Sequence, residues 1–224
     1  MTEAQLEEIM ARYIIIPIGL PGSGKTHLYN AAKKVYSPFL LQFCSPDAVR
    51  EQVYPGYEEG YIPFDEIDQT AMFVTAHRDM EDALLYGDNA YFDATNLTIE
   101  ARTVVYHRGQ AIDYALSYSF NLHYILIYLN IPYKEVLYRN EARGEHRVPD
   151  RERLDLWNGF FQTDIKKFRK DPNDMTVHFA HEIPNPERVH ACLWNWDEGI
   201  GWVDEELCES HDVCESILQA SNAH

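Results

Sequence analysis

Cysteine is scarce in this 224-residue sequence, and the four present (Cys44, Cys192, Cys208 and Cys214) form no C-x-x-C pair. That argues against a disulfide framework and points to reduced thiols in a cytosolic protein, in the host cytosol if the gene is a phage's. No apolar run approaches the roughly 18 residues of a membrane span. The N-terminal MTEAQLEEIMARY is acidic and amphipathic, unlike a secretory signal. There is no internal repeat and no low-complexity segment. Positive charge is also short: the formal net charge is -17, which argues against a chain coated in nucleic acid. Residues 171–224 carry 1 basic and 12 acidic groups, residues 1–133 carry 8 and 17, and residues 134–170 carry 10 and 7. Because screening confines surface charge to about 10 Å, a local basic patch still acts on an acidic protein. The Lys166–Lys170 cluster by itself reads as a solvated helical face.

What is present is enough apolar residue, 46%, for one sizeable core. Strand and helix patterns alternate. YIIIPI (Tyr13–Ile18) has the β-branched continuity of a strand buried on both faces. A helix follows to about Val35, then a second strand, FLLQF (Phe39–Phe43). Ser45 and Pro46 read as N-cap and first residue of a helix to about Val53. After the turn-rich Tyr54–Pro63, Phe73, Ala76, Met80 and Leu84 recur at helical spacing. AYFDA (Ala90–Ala94) is a third strand, Thr98–Tyr114 a helix, and YILIYLN (Tyr124–Asn130) a fourth strand. Helices are expected over Ile131–Asn140 and, after a Gly- and Arg-rich loop at Ala142–Pro149, to about Phe168, with a last strand at Met175–Ala180. The repeated strand–helix units predict an α/β fold, a parallel sheet flanked by helices. Residues 1–183 are expected to form the domain, with a lid at about 142–150. Residues 184–224 read as an acidic, partly helical appendage packed on it.

The chemistry starts at GLPGSGKT, Gly19–Thr26, which fits G-x-x-x-x-G-K-[ST] between a predicted strand and a predicted helix. Such a P-loop curls backbone N–H groups round a phosphate, and the helix N-terminus adds partial positive charge. Gly22, Ser23, Gly24, Lys25, Thr26 and His27 are the expected ATP-binding residues of this loop. Lys25 would reach the β- and γ-phosphates, and Thr26 would ligate Mg²⁺. Asp93, at a strand's carboxyl end, suits Mg²⁺ or its water shell, or serves as a plain turn cap. Asp47 and Arg50 share one face of a first helical turn. A carboxylate there suits accepting a proton from a hydroxyl, and the Arg suits steering a phosphate; an Asp so placed also simply complements the helix dipole. Arg139 and Arg143, four apart, suit the spreading charge of a transferring phosphoryl group, and Arg147 continues them onto a loop able to close. A surface helix pairing Arg with Glu135, Glu141 and Glu145 is the plainer alternative.

GLPGSGKT, SPDAVR, FDATN with Arg102 downstream, and RNEARG followed by VP resemble, in order and spacing, the P-loop polynucleotide 5′-hydroxyl kinases, above all the phage-type kinase domain of end-healing enzymes. The resemblance covers about residues 13–170. It implies an ATP- and Mg²⁺-dependent kinase in which Asp47 is the general base on a 5′-hydroxyl and Arg50 holds the acceptor's phosphate. Lys25, Arg139 and Arg143 would clamp the donor, with Arg143 on the lid and Thr26 on Mg²⁺. Thr95, Asn96 and Arg102 fall on the acceptor side of the same pattern. The D-x-D-x-T of a companion phosphatase is absent, so no 3′-phosphatase is expected. Related kinases with this core phosphorylate small alcohols, nucleotide sugars or hydroxymethylated DNA bases, and the acceptor stays open among these and a DNA or RNA end. A guanine-nucleotide switch would carry N-K-x-D, which is missing.

Weaker signals remain. Tyr54, Tyr57, Tyr61 and Phe64 suit base stacking or ordinary loop packing. His178, His181 and His190 lack a metal-ligand spacing, and Cys208, His211 and Cys214 are a poor zinc constellation. Trp194, Trp196 and Trp202 are expected to anchor the tail to the body.

Overall fold

The computed structural model describes residues 11–35, 41–55, 67–116, 121–142, 150–180, 183–197 and 200–204. The strands are β1 (Ala11–Ile18), β2 (Leu41–Cys44), β3 (Asn89–Phe92), β4 (Asn121–Asn130), β5 (Val189–Asp197) and β6 (Ile200–Val203). The helices are α1 (Lys25–Val35), α2 (Pro46–Val53), α3 (Gln69–Leu85), α4 (Ile99–Ala115), α5 (Tyr133–Glu141), α6 (Arg151–Lys170) and the single turn α7 (Met175–His178).

The sheet runs β2-β3-β1-β4-β5-β6, parallel throughout except for the antiparallel β5–β6 pair. β1 lies at its centre, where the chain order reverses, and at such a switch point the strand ends splay open into a binding crevice. The centre is apolar on both sides. Ile14, Ile16 and Ile18 face one cluster with Met80, Tyr106, Phe161 and Phe168, while Ile15 joins Leu28, Tyr91 and Trp194 on the other. Each such fully buried side chain contributes about 1.5–3 kcal/mol.

Side-chain caps set the helix starts, Ser45 as the sequence predicts and the others as additions. Ser45 Oγ accepts from the Ala48 N–H and Thr98 Oγ1 from the Ala101 N–H. Asp68 and Asp150 cap α3 and α6 in the same way.

Two expectations are corrected. Met175–Ala180 is not a strand: Asp174 caps a single helical turn through the Thr176 N–H and hydroxyl. The adjacent Val177 and His178 are both buried, with none of a strand's alternation. Val189–Asp197 and Ile200–Val203 are strands rather than parts of a partly helical segment. Leu129 pairs with Trp194 in register, and the Trp194 ring is buried, while the Trp202 side chain lies outside those described. No described helix is long and apolar enough to cross a membrane.

α7 packs through a buried polar network. Arg102 is fully buried; its guanidinium donates to the carbonyls of Asn96, Leu97, Val177 and His178 and to Asp164 Oδ2 at 3.0 Å. Burial raises the Asp164 carboxyl above its usual range, against the pull of Arg102. His178 donates from Nε2 to the Pro172 carbonyl (3.0 Å), so its Nδ1 accepts from the Tyr128 hydroxyl (2.8 Å). Burial, helped by the Arg102 charge, lowers the His178 pKa from 6.5 to about 4. The unfolded chain therefore binds a proton below pH 6.5 that the native chain refuses until about pH 4. Stability is expected to fall across that window as pH falls, by about 3 kcal/mol from this residue. Urea titrations between pH 7 and 4 check this, and the His178→Gln variant should show a shallower slope.

Candidate active site

The P-loop leaves the carboxyl end of β1 at Gly19 and enters α1 at Lys25. Gly22 and Gly24 take φ of 83° and 97°, the left-handed region that side chains resist. A Cβ on Gly22 would stand 2.9 Å from Asn140 Nδ2. Gly22→Ala is therefore expected to strain the loop by about 1–3 kcal/mol, seen as roughly ten- to hundredfold weaker binding in an ATP-analogue titration. Lys25 Nζ donates to the carbonyls of Gly19 (3.1 Å) and Leu20 (3.0 Å), folded over the loop's own mouth. Ser23 is buried and His27 is exposed on the first turn of α1.

β3 supplies the next wall. Asp93 follows its last residue and is held by its N–H to the Cys44 carbonyl (2.9 Å). Asp93 Oδ2 accepts from Thr26 Oγ1 at 3.1 Å. A carboxylate and a hydroxyl, both hard oxygen donors, meet at the start of a helix, and this pair fits a Mg²⁺ ion. The Gly19 N–H donates to the Thr95 carbonyl, and Asn96 Nδ2 donates to the carbonyls of Pro17 and Phe92. Asn96 is buried with φ of 50°. Asn96 and Arg102 thus lie beneath the site, directed at backbone, and Thr95 touches the loop through its main chain.

α2 presents Asp47 and Arg50 beyond the end of β2. They form an ion pair; the Asp47 side chain is 79% exposed and that of Arg50 is 8% exposed. Gln69 Oε1 accepts from Arg50 Nε at 2.9 Å and fixes its plane. Burial pushes the nearby Cys44 thiol up to about 12, so it is no nucleophile here.

From the other side, α5 brings Arg139. Its Nε donates to Glu135 (2.7 Å) and its Nη1 reaches the Gly22 carbonyl (3.4 Å). The plainer alternative, an Arg–Glu pair on the helix, is present, and the same guanidinium stands beside the P-loop. Arg143 and Arg147, with the expected lid, lie outside the described residues, as do Tyr57, Tyr61, Phe64, His181, Cys208, His211 and Cys214. Tyr54 is half-buried against the core. The structure adds supports that sequence reasoning missed. Asn140 Nδ2 donates to the Pro21 carbonyl (2.7 Å), and the Tyr91 hydroxyl donates to the Lys25 carbonyl (2.6 Å). Asn140 sits inside RNEARG, the one signal that pointed at it.

A family model described as "AAA domain" matches residues 14–162, from β1 into α6. The chain belongs to the AAA domain family. Its P-loop, Asp93, Asp47–Arg50 pair and Arg139 all fall inside the matched residues. Among curated proteins nothing matches the sequence. Solved structures resemble this AAA domain at low identity. A protein assigned as a kinase from Chloroflexus aurantiacus is 19% identical, with 65% of this chain and 77% of that one covered and a TM-score of 0.49. A fungal RNA kinase is 15% identical over 95% and 82%, with a TM-score of 0.41. The PezAT toxin–antitoxin system of Streptococcus pneumoniae gives 13% over 97% and 89%, with a TM-score of 0.49. Likenesses of this size say nothing about a substrate.

Proposed function

We propose that this AAA domain is an ATP- and Mg²⁺-dependent polynucleotide kinase that phosphorylates a 5′-hydroxyl end. The observation that carries the reading is the Asp47–Arg50 pair at the carboxyl edge of the sheet, on the side of the Thr26–Asp93 contact away from Arg139. A triphosphate held by the P-loop would thus have a carboxylate–guanidinium pair on one flank and a second guanidinium on the other. An exposed carboxylate held by a buried arginine on that flank suits taking a proton from an acceptor hydroxyl.

In the reaction, Lys25 and the loop N–H groups bind the β- and γ-phosphates, and Arg139 neutralises charge on the donor. Thr26 and Asp93 would hold Mg²⁺, which supplies further neutralisation of the phosphate oxygens. Arg50 seats the acceptor's phosphate and orients the Asp47 carboxylate toward its hydroxyl. The hydroxyl oxygen forms the new bond to the γ-phosphorus, the bond from that phosphorus to the β–γ bridging oxygen breaks, and ADP leaves. The hydroxyl proton passes to Asp47. Little covalent chemistry is asked of the protein, so positioning and electrostatics provide most of the acceleration.

The test is transfer of labelled γ-phosphate from ATP to 5′-hydroxyl DNA and RNA oligonucleotides, beside nucleosides, nucleotide sugars and hydroxymethylated duplex DNA. Labelling of an oligonucleotide end is expected. Transfer only to a small molecule or a modified base would replace the acceptor, and ATP hydrolysis indifferent to every acceptor would overturn the kinase reading.

A further inference from the structure

The carboxyl end of β5 delivers an aromatic ring to the donor side of the site. Arg139 Cζ lies 5.0 Å from the centroid of the Trp196 ring. Trp194 packs edge-on against that ring, with centroids 5.8 Å apart and planes at 80°. Since Trp194 is buried in the sheet, it gives Trp196 a fixed wall. Arg139 therefore sits over the Trp196 ring, with Glu135 accepting from its Nε at 2.7 Å and the Gly22 carbonyl 3.4 Å from its Nη1. A planar guanidinium stacked on a ring keeps its in-plane N–H groups for bidentate contact with phosphate. Trp196 is half-buried: it packs against both core clusters and presents its ring to Arg139 as well. It also lies beyond residue 162, where the family match ends, so the matched pattern does not include it.

We propose that Trp196 is a positioning residue for the donor clamp. Its ring holds the Arg139 guanidinium flat at the mouth of the P-loop before nucleotide arrives, so that little ordering is left for the binding step. The inference rests on the donor site proposed above. It adds that β5, as well as the loop and α5, decides how firmly a triphosphate is held.

Titration of a non-hydrolysable ATP analogue into the full chain tests this without any acceptor. Trp196→Leu keeps apolar bulk and removes the aromatic face. It is expected to weaken binding about tenfold and to raise KM for ATP by a similar factor, with kcat within about twofold of wild type. Trp196→Phe should restore most of the affinity. The double variant Trp196→Leu, Arg139→Ala should bind no more weakly than Arg139→Ala alone, because the two side chains act as one unit. Wild-type affinity in Trp196→Leu, or additive losses in the double variant, would overturn the proposal. Coupled losses in a protein that transfers no phosphate would uphold it and count against the acceptor reading alone.

Discussion

Replacing Asp47 by Asn is expected to lower kcat for phosphoryl transfer by about 10²- to 10⁴-fold, the usual contribution of a general base. Nucleotide affinity should stay at its wild-type value. The substitution keeps the side chain's size and removes its ability to take a proton. The described partner of Asp47 is Arg50, and Lys25, Thr26 and Arg139 keep their described partners without it. Arg50 stays fixed by Gln69 when its carboxylate partner is lost. The expected kinetic pattern is thus a fall in kcat with an unchanged analogue Kd. Transfer within about threefold of wild type would remove Asp47 from the base role and leave the helix-dipole explanation for its presence.

Arg102→Met is expected to destabilise the fold by about 3–5 kcal/mol, the range seen when one partner of a buried ion pair is removed. Four carbonyls and Asp164 lose their donor at once, and methionine replaces none of those hydrogen bonds. The measurement is urea unfolding. At a temperature where the variant is still folded, its KM for acceptor should match wild type, because Arg102 has no exposed surface. An acceptor defect without a stability loss would instead put Arg102 in contact with substrate, as the resemblance alone implied.

The contrast between Asp47 and Arg102 shows where a sequence is legible. A P-loop announces itself because glycines at fixed offsets meet a backbone requirement, and Gly22 and Gly24 do adopt positive φ. Asp47 and Arg50 are readable because three residues along a capped helix make one face. Arg102 and Asn96 belong to a motif too, yet a motif gives order along the chain and not depth. Whether an arginine faces a ligand or four carbonyls depends on what α6 and α7 lay over it. The β5 strand hides for another reason. Its acidic flanks and two polar positions, His190 and Asn195, break the continuous apolar run that makes β4 obvious, although Cys192 and Trp194 face one core cluster and Val189 and Leu193 the other. Trp196 is recognisable as an anchor, but its meeting with Arg139 requires β5 to lie beside β4.

The central place of β1 has a consequence for how the chain is made. Ile14 bonds across to Ala90 on one side and Tyr124 on the other, so neither neighbour exists when the first strand leaves the ribosome. About 110 residues separate Ile14 from its second partner, which is roughly 5–20 s of synthesis. Both edges of β1 are open until Ala90 is made, and the edge toward β4 stays open until Tyr124 follows; an uncovered edge is a template for another chain, and Pro17 is the residue of the run that resists such pairing. Nascent chains halted before Asn121 should therefore be prone to clump and to need a chaperone's shelter. The strand that leads into the nucleotide grip in the finished protein is thus one that waits longest for its second neighbour while the protein is being made.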